Sequence, residues 1–195
     1  LNADVVQEKI EELLDTLFKN VPSGVGSEPK IRLTREELDE VLTTGANWCV
    51  KNNYAFPEDL DVTESNGCLS DADAEKIPPR AKKRGKNQLS TLGAGNHFLE
   101  VQIVDEIYNE ETAKAFGIDR KGQIVVMIHC GSRGLGHQTC SDFIRRFEEE
   151  FPEIVKSLPD KDLIYAPAET DAAKDYYKAM CAGANFAWAN RQCIA

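Results

Sequence analysis

The residues with the clearest chemical potential in this chain are its three histidines, His97, His129 and His137. His97 follows the turn 93–95, which contains two glycines, and His129 lies between an apolar run and the glycine-rich segment 131–136. Side chains at the junction of a loop and a rigid element are typical of binding and catalytic sites. Because neutral imidazole binds zinc, manganese, iron and nickel, two converging histidines indicate a metal site.

Two histidines do not complete such a site. A bound metal needs further ligands, and neither His97 nor His129 has a cysteine or a carboxylate partner at helical spacing. The remaining ligands must therefore come from distant segments or from residues outside this sequence. A hydrogen-bonded structural histidine is the alternative at each position, and the residues alone leave both interpretations open.

The segment 131–136 reads Gly-Ser-Arg-Gly-Leu-Gly and leads into a helix predicted from about His137. The first N–H groups of a helix are unpaired and carry partial positive charge, so with Arg133 beside them they can hold a phosphate. The glycine spacing differs from that of a Walker loop, a dinucleotide-binding turn and a hydrolase nucleophile elbow. The motif by itself therefore predicts an anion site without a particular reaction.

A cluster of basic residues follows the Pro78-Pro79 break in a chain whose net charge is −10. The overall charge argues against a protein that coats nucleic acid through its net charge. A local cluster nevertheless suggests a phosphate-rich partner, and a solvated basic loop is the alternative. The cluster consists of Arg80, Lys82, Lys83, Arg84 and Lys86.

The hydrophobic pattern predicts the α+β class, with mixed or antiparallel strands covered by helices. Residues 97–107 and 163–165 are predicted strands, and the continuous apolar run 123–128 indicates a buried strand. A capping box of Thr34 and Glu37 starts the second of five predicted helices, and the first is amphipathic and expected to pack on a core. The helices are predicted at about 4–20, 34–52, 109–116, 137–152 and 170–193.

The strand pattern raises a conflict around His97. A straight strand over 96–101 would place His97 on one face and its neighbours Asn96 and Phe98 on the other. For all of them to reach one site, the site must lie at the mouth of the strand, or the chain must be kinked after Gly95.

Length and composition restrict the class of protein. A chain of 195 residues is long enough for one domain with its own core, either alone or with a small satellite. It contains no apolar run of membrane-spanning length and no export signal within residues 1–20, and its six cysteines form no Cys-x-x-Cys pair. We therefore expect a cytoplasmic protein with free thiols and no membrane partner. The abrupt ends suggest a piece of a longer protein.

Two segments closely resemble the RtcB family of RNA ligases: 92–100, Leu-Gly-Ala-Gly-Asn-His-Phe-Leu-Glu, and 128–138, Ile-His-Cys-Gly-Ser-Arg-Gly-Leu-Gly-His-Gln. Segments 21–27, 80–85 and 184–191 are similar as well, so the resemblance covers essentially the whole chain. The family is GTP-dependent. It joins RNA 3′-phosphate or 2′,3′-cyclic phosphate ends to 5′-hydroxyl ends through a guanylylated histidine, in tRNA splicing and RNA repair.

The resemblance implies roles for individual residues. His97 and His129 match two metal-binding histidines of the family, one for each ion of a two-manganese centre, whereas His137 matches no ligand and is expected to be structural. Asn96 matches a residue that contacts the guanylate phosphate. The implied nucleotide-binding residues are Asn96, His97, Phe98, Leu99 and Glu100, and the implied RNA-phosphate contacts are Arg133, Arg80, Lys82, Lys83 and Arg84.

Other parts of the family pattern fall outside this sequence. An upstream Asp-x-x-Cys segment, a third metal histidine and the guanylylated histidine have no counterpart in 1–195, so we expect no catalytic residue here and no activity from this central piece alone. The implied partners are RNA, as tRNA halves or broken ends, GTP and an archease-like activating protein. Two alternatives remain, a non-catalytic RNA- or nucleotide-binding module and a metallophosphohydrolase that uses the same histidines.

Overall fold

The computed structural model describes residues 3–24, 26 and 28–195. It confirms the α+β class, with an antiparallel pair of strands among many helices. The helices are α1 (Ala3–Glu8), α2 (Ile10–Asn20), α3 (Arg35–Thr44), α4 (Ala46–Lys51), α5 (Pro57–Asp61), α6 (Pro79–Gly85), α7 (Glu110–Ala115), α8 (Arg133–Glu150), α9 (Pro152–Ser157) and α10 (Asp171–Ile194). The strands are β1 (Phe98–Ile103) and β2 (Ile124–His129).

The chain divides into two compact units. The first comprises residues 1–27 and 92–129 and contains α1, α2, α7 and both strands. The second comprises residues 28–91 and 130–195 and contains the other helices. No helix in the described part of the chain has both the length and the apolar character that crossing a bilayer requires.

The second unit is built around α10, which packs against α3, α4 and α8. Apolar side chains of α3 are fully buried at Leu38, Val41 and Leu42, and Phe186 of α10 is equally buried. Burying a side chain of this size contributes about 1.5–3 kcal/mol, so these residues form a substantial part of the unit's hydrophobic core.

Helix α3 begins as predicted. Thr34 Oγ1 accepts from the Glu37 backbone N–H at 3.1 Å, and Glu37 Oε2 accepts from the Thr34 N–H at 2.7 Å. The helix predicted over 34–52 is interrupted at Gly45, which has a φ of +58°. A Cβ at this position would lie 2.1 Å from the Gly67 carbonyl oxygen, so the close approach of that loop requires glycine.

The helix predicted from His137 instead begins at Arg133. The Gly134 backbone N–H donates to Gln88 Oε1 at 2.8 Å. A side chain distant in sequence thus binds an N–H that the first turn of a helix leaves unpaired. The predicted strand at 163–165 was wrong. Residues Lys161–Leu163 form a 3₁₀ turn, which begins where Asp160 Oδ1 accepts from the Asp162 N–H at 3.0 Å.

In the first unit, β1 and β2 pair in the register Phe98↔His129 to Ile103↔Ile124. The prediction that the second strand is buried was wrong, because Val126 is 58% and Met127 46% exposed. Within the described residues the sheet has two strands, so no further strand covers an edge of β2.

The first predicted helix is also different from expectation. It is interrupted at Lys9, and the described side chains of α1 and α2 include no buried one. Leu14 and Phe18 are 56% and 83% exposed, and together with Leu99 they line a groove of about 420 Å³. The first predicted helix was expected to pack on a core, but apolar side chains of α2 line an open groove instead.

Candidate active site

His97 lies just outside β1, behind a bend at Gly95. Gly95 has a φ of +81°, and the His97 N–H donates to the Gly95 carbonyl at 2.9 Å. The strand starts one residue later, at Phe98. Of the two arrangements considered for this segment, the structure shows the kink after Gly95. His97 therefore lies outside the strand, and the alternation of side chains between the two strand faces does not apply to it.

The bend also determines which nitrogen of the His97 ring is available to bind a metal ion. His97 Nδ1 lies 3.0 Å from the Ala94 carbonyl oxygen. A carbonyl oxygen only accepts hydrogen bonds, so this contact favours the tautomer with the proton on Nδ1. Nε2 then keeps its lone pair, which is the arrangement in which a metal-binding histidine is held by a backbone carbonyl.

His129 is brought to the same end of the sheet by the register of the strands. It is the last residue of β2 and pairs with Phe98, the first residue of β1. The His129 ring lies edge-on to the Phe98 ring, with centroids 5.0 Å apart, and its centroid is 6.3 Å from that of His97. The predicted convergence of these two histidines is therefore present in the structure.

The donor set fits a manganese site in part. Two imidazoles are suitable ligands, and their separation allows them to reach one ion or two ions about 3.5–4 Å apart. Across residues 3–24, 26 and 28–195, no group of three or more His, Cys, Asp or Glu side chains could hold a metal. The pair thus supplies part of a coordination sphere.

The nucleotide-binding candidates divide between the two faces of β1. Asn96 is exposed, and its carboxamide has no hydrogen bond to another described residue. Glu100 shares the face of Phe98 and accepts from Gln102 Nε2 at 2.7 Å. Leu99 lies on the opposite face, where it lines the apolar groove.

Arg133 lies in the second unit at the start of α8. Its Nε donates to Thr91 Oγ1 at 3.1 Å, and its backbone has a φ of +55°. Burial lowers the pKa of this guanidinium, and it forms no ion pair with a described carboxylate. A half-buried cation without a counter-ion is costly, so the position is suited to an anion.

The loop before α8 is held by two residues of α10 that the sequence reasoning did not single out. The Asn190 Nδ2 group donates to the carbonyls of Thr91 and Gly131 at 3.1 Å each, and Asn190 Oδ1 accepts from the Thr91 N–H at 3.1 Å. Arg191 donates to the Cys130 carbonyl at 2.9 Å. The available signal was the similarity of segment 184–191 to the family, together with an asparagine in the largely apolar part of the helix over 179–190.

No cysteine belongs to a group of three or more potential metal ligands among the described residues. All six are free, as predicted. Cys130, next to His129 in sequence, is buried, donates weakly to the Thr91 carbonyl at 3.4 Å and accepts from Asn190 at 3.2 Å. His137, the third histidine, is exposed on α8.

The basic cluster is helix α6 rather than a loop. Lys82 forms an ion pair with Asp39, and Arg84 donates to Gln138 Oε1 at 3.1 Å. Arg80 and Lys83 are exposed and have no described partner. The cluster therefore separates into residues that hold the fold and residues that remain available.

A family model described as tRNA-splicing ligase RtcB matches residues 1–195. The chain belongs to the RtcB family. Relatives named tRNA-splicing ligase RtcB are 50% identical in Methanocaldococcus jannaschii, 50% in Nanoarchaeum equitans and 51% in Thermococcus kodakarensis, each over 194 residues and 100% of this chain. The chain spans 20% of the first relative and 40% of the other two. The resemblance inferred from the histidine segments is thus confirmed.

Proposed function

We propose that the whole protein to which this chain belongs is a cytoplasmic RNA ligase of tRNA splicing and RNA repair. It joins RNA 3′-phosphate or 2′,3′-cyclic phosphate ends to 5′-hydroxyl ends, using GTP and Mn²⁺. The observation that carries the proposal is the convergence of His97 and His129 next to Asn96, whose carboxamide has no hydrogen bond to a described residue, in a chain that matches the RtcB family over its full length. The names of the relatives support a tRNA-splicing substrate.

In this proposal His97, through Nε2, and His129 each bind one manganese ion of a two-ion centre. The other ligands and the guanylylated histidine belong to other parts of the whole protein, since the described residues complete no metal cluster. When bound, manganese supplies positive charge that stabilises the phosphates during transfer. Residues 1–195 by themselves are therefore expected to be inactive.

The residues around the histidines bind GTP. The Asn96 amide donates a hydrogen bond to the guanylate phosphate, and its lack of a described internal partner leaves it free to do so. Phe98 forms a wall of the nucleotide site beside His129. The Glu100 carboxylate on the same face accepts hydrogen bonds, which the N–H edge of guanine can provide.

Arg133 binds an RNA phosphate. Its guanidinium is half-buried and without a described carboxylate, and a phosphate provides both the missing charge and a matching bidentate geometry. An archease-like protein is the proposed activating partner, as the resemblance implies.

The test uses the whole protein with Mn²⁺, labelled GTP, and RNA bearing 2′,3′-cyclic phosphate and 5′-hydroxyl ends. We expect transfer of the guanylyl label to protein and formation of joined RNA. His137→Ala is the matched control, because this exposed histidine lies on α8, outside the proposed metal pair. Phosphate release without joined RNA would indicate a metallophosphohydrolase, and RNA binding without either reaction would indicate a binding module.

A further inference from the structure

A concave surface in the second unit collects positive charge from two helices. It lies between α3 and α6 and encloses about 560 Å³. We call it the basic groove. Its charged lining consists of Arg35, Asp39, Glu75, Lys82, Lys83 and Lys86.

The orientation of α6 follows from its sequence. Residues 79, 82, 83 and 86 recur at helical spacing and line the groove. On the opposite side Ala81 and Gly85 are buried against α8, and a Cβ at Gly85 would lie 2.5 Å from Leu135 Cδ1. This flush packing requires glycine and directs the lysines of α6 toward the groove.

The cations of the groove are not equivalent. Lys82 is neutralised by Asp39 of α3. Arg35, Lys83 and Lys86 are exposed and form no ion pair with any residue that the structure describes. Four cations face two carboxylates in a chain of net charge −10, so the groove is a local positive region.

The lining of the groove favours a polyphosphate over a folded protein or peptide. Of its apolar residues, Leu38 and Ile77 are 1% and 2% exposed and Pro79 is an exposed residue at the start of α6, so the lining offers no apolar pocket for the aromatic or aliphatic anchors that dominate protein interfaces. Exposed lysines suit a repeating phosphate backbone, which they bind as point charges without reading sequence.

We propose that the basic groove binds the phosphodiester backbone of RNA through Arg35, Lys83 and Lys86. The Lys82–Asp39 pair fixes α6 beside α3, and Arg84 fixes α6 to α8. This inference rests on the proposed function, because the occupant is the RNA that the ligase joins. It adds Arg35 and Lys86 to the RNA contacts and assigns Lys82 and Arg84 to the scaffold.

The test measures binding of a fluorescent single-stranded RNA to the whole protein between 50 and 200 mM NaCl. For the triple variant Arg35→Ala, Lys83→Ala, Lys86→Ala we expect the slope of log affinity against log salt to fall by about 2, since each phosphate contact to a single strand contributes about 0.7. Over this fourfold range the wild type then loses about 20-fold more affinity than the variant. Glu75→Gln, which removes a carboxylate from the groove, should strengthen binding.

Two control variants distinguish an effect of the groove residues from a general effect of the protein's charge. Lys174→Ala removes an exposed lysine of α10 with no described ion pair and should leave the slope unchanged. The double variant Asp39→Asn with Lys82→Gln keeps the net charge and replaces the ion pair with two side-chain amides that can hydrogen-bond to each other, so α6 stays beside α3 and the slope should be unchanged. The melting temperature of each variant verifies that it is folded.

The outcomes distinguish this inference from the proposed function. If the triple variant keeps the wild-type slope while the whole protein ligates RNA, the groove is not an RNA surface and the function stands. If the slope falls but the wild type never joins RNA, the groove binds polynucleotide and the proposed function fails. Loss of polyglutamate binding with an unchanged RNA slope would identify an acidic protein as the occupant and overturn the proposal.

Discussion

The end of the two-stranded sheet and the buried cluster around Asn190 use the same kinds of side chain in opposite ways. At the sheet end, Asn96 is exposed without a described hydrogen bond, and His129 is exposed beside Phe98. In the cluster, Asn190 is fully buried and its carboxamide is bound to Thr91 and Gly131. The polar groups of the cluster are hydrogen-bonded within the protein, whereas the side chains of Asn96 and His129 at the sheet end have no hydrogen-bond partner among the described residues.

Burial and hydrogen bonding, rather than the type of residue, therefore distinguish a structural asparagine from one that is a candidate for binding. A buried polar group that is fully hydrogen-bonded stabilises one arrangement of the chain, and removing its partner is costly. An exposed polar group without an internal partner contributes little to stability. Substitutions at the two asparagines should therefore have separate consequences, one on stability and one on activity.

The largest effect is expected from the two histidines proposed to bind manganese, His97 and His129. His97→Ala in the whole protein should abolish both guanylylation and ligation, because loss of the ligand removes the ion's charge from the phosphates. We expect a decrease of at least about 1,000-fold, corresponding to about 4 kcal/mol. The measurements are manganese content by mass spectrometry and GTP-dependent labelling. Full manganese content with normal ligation in this variant would show that His97 is structural.

Asn96→Ala should be slow but still bind manganese. Losing a neutral hydrogen bond to a phosphate in the transition state costs on the order of 2–4 kcal/mol, so we expect a decrease of roughly 30- to 1,000-fold in the rate of guanylylation. The metal stoichiometry and the melting temperature should remain near those of the wild type. A variant that loses manganese while His97→Ala retains it would reverse the two assigned roles.

Asn190→Ala should act on stability instead. The substitution removes the acceptor of the Thr91 N–H and the amide donor to the Gly131 carbonyl, and it leaves the Thr91 carbonyl with only the weak donor Cys130. Such losses cost about 1–3 kcal/mol for each unsatisfied group, and a total near 3 kcal/mol lowers the melting temperature by about 6–12 °C in a domain of this size. Thermal unfolding of the Asn96→Ala variant is the matched control. Equal melting temperatures for the two variants would contradict the comparison.

The sequence predicted the features that depend on local contacts. The capping box of Thr34 and Glu37 was confirmed because both residues lie within one helical turn. The convergence of His97 and His129 was anticipated from their positions beside glycine-rich turns. The family resemblance supplied their chemical roles, which geometry alone does not determine.

The sequence could not predict features that depend on distant partners. Lys82 and Lys83 are neighbours of the same type, and only the contact of Lys82 with Asp39, 43 residues away, distinguishes them. Gln88 Oε1 accepts from the Gly134 N–H in the first turn of α8 from 46 residues away, a contact that the sequence around α8 does not show. The apolar run of strand β2 predicted burial, but such a run does not indicate how many neighbouring elements cover the strand.

The smallest expected effect concerns Asp175, a charged residue that, like Asn190, has its partners within the protein. Asp175 of α10 accepts from Lys76 at 2.7 Å and from Arg146 at 2.9 Å. The hydrogen bond from Lys76, followed by that from Arg146, holds the pKa of the Asp175 carboxyl below its ordinary value. All three side chains retain partial solvent contact, so solvent screens the ion pairs and their contribution to stability is small.

The lowered pKa determines when that contribution is lost. A carboxyl group whose folded pKa is depressed stabilises the protein above its unfolded pKa of about 3.9, and this stabilisation disappears as the pH falls through the folded value. Asp175→Asn should therefore be less stable than the wild type at pH 7, with the gap closing as the pH falls below about 4. Urea unfolding at pH 7, 5, 4 and 3 measures the gap, and ligation at pH 7 should be unchanged. A difference in unfolding free energy that stays constant down to pH 3 would mean that the network does not depend on the ionised carboxylate. Reduced ligation at normal stability would mean that Asp175 has a role in activity.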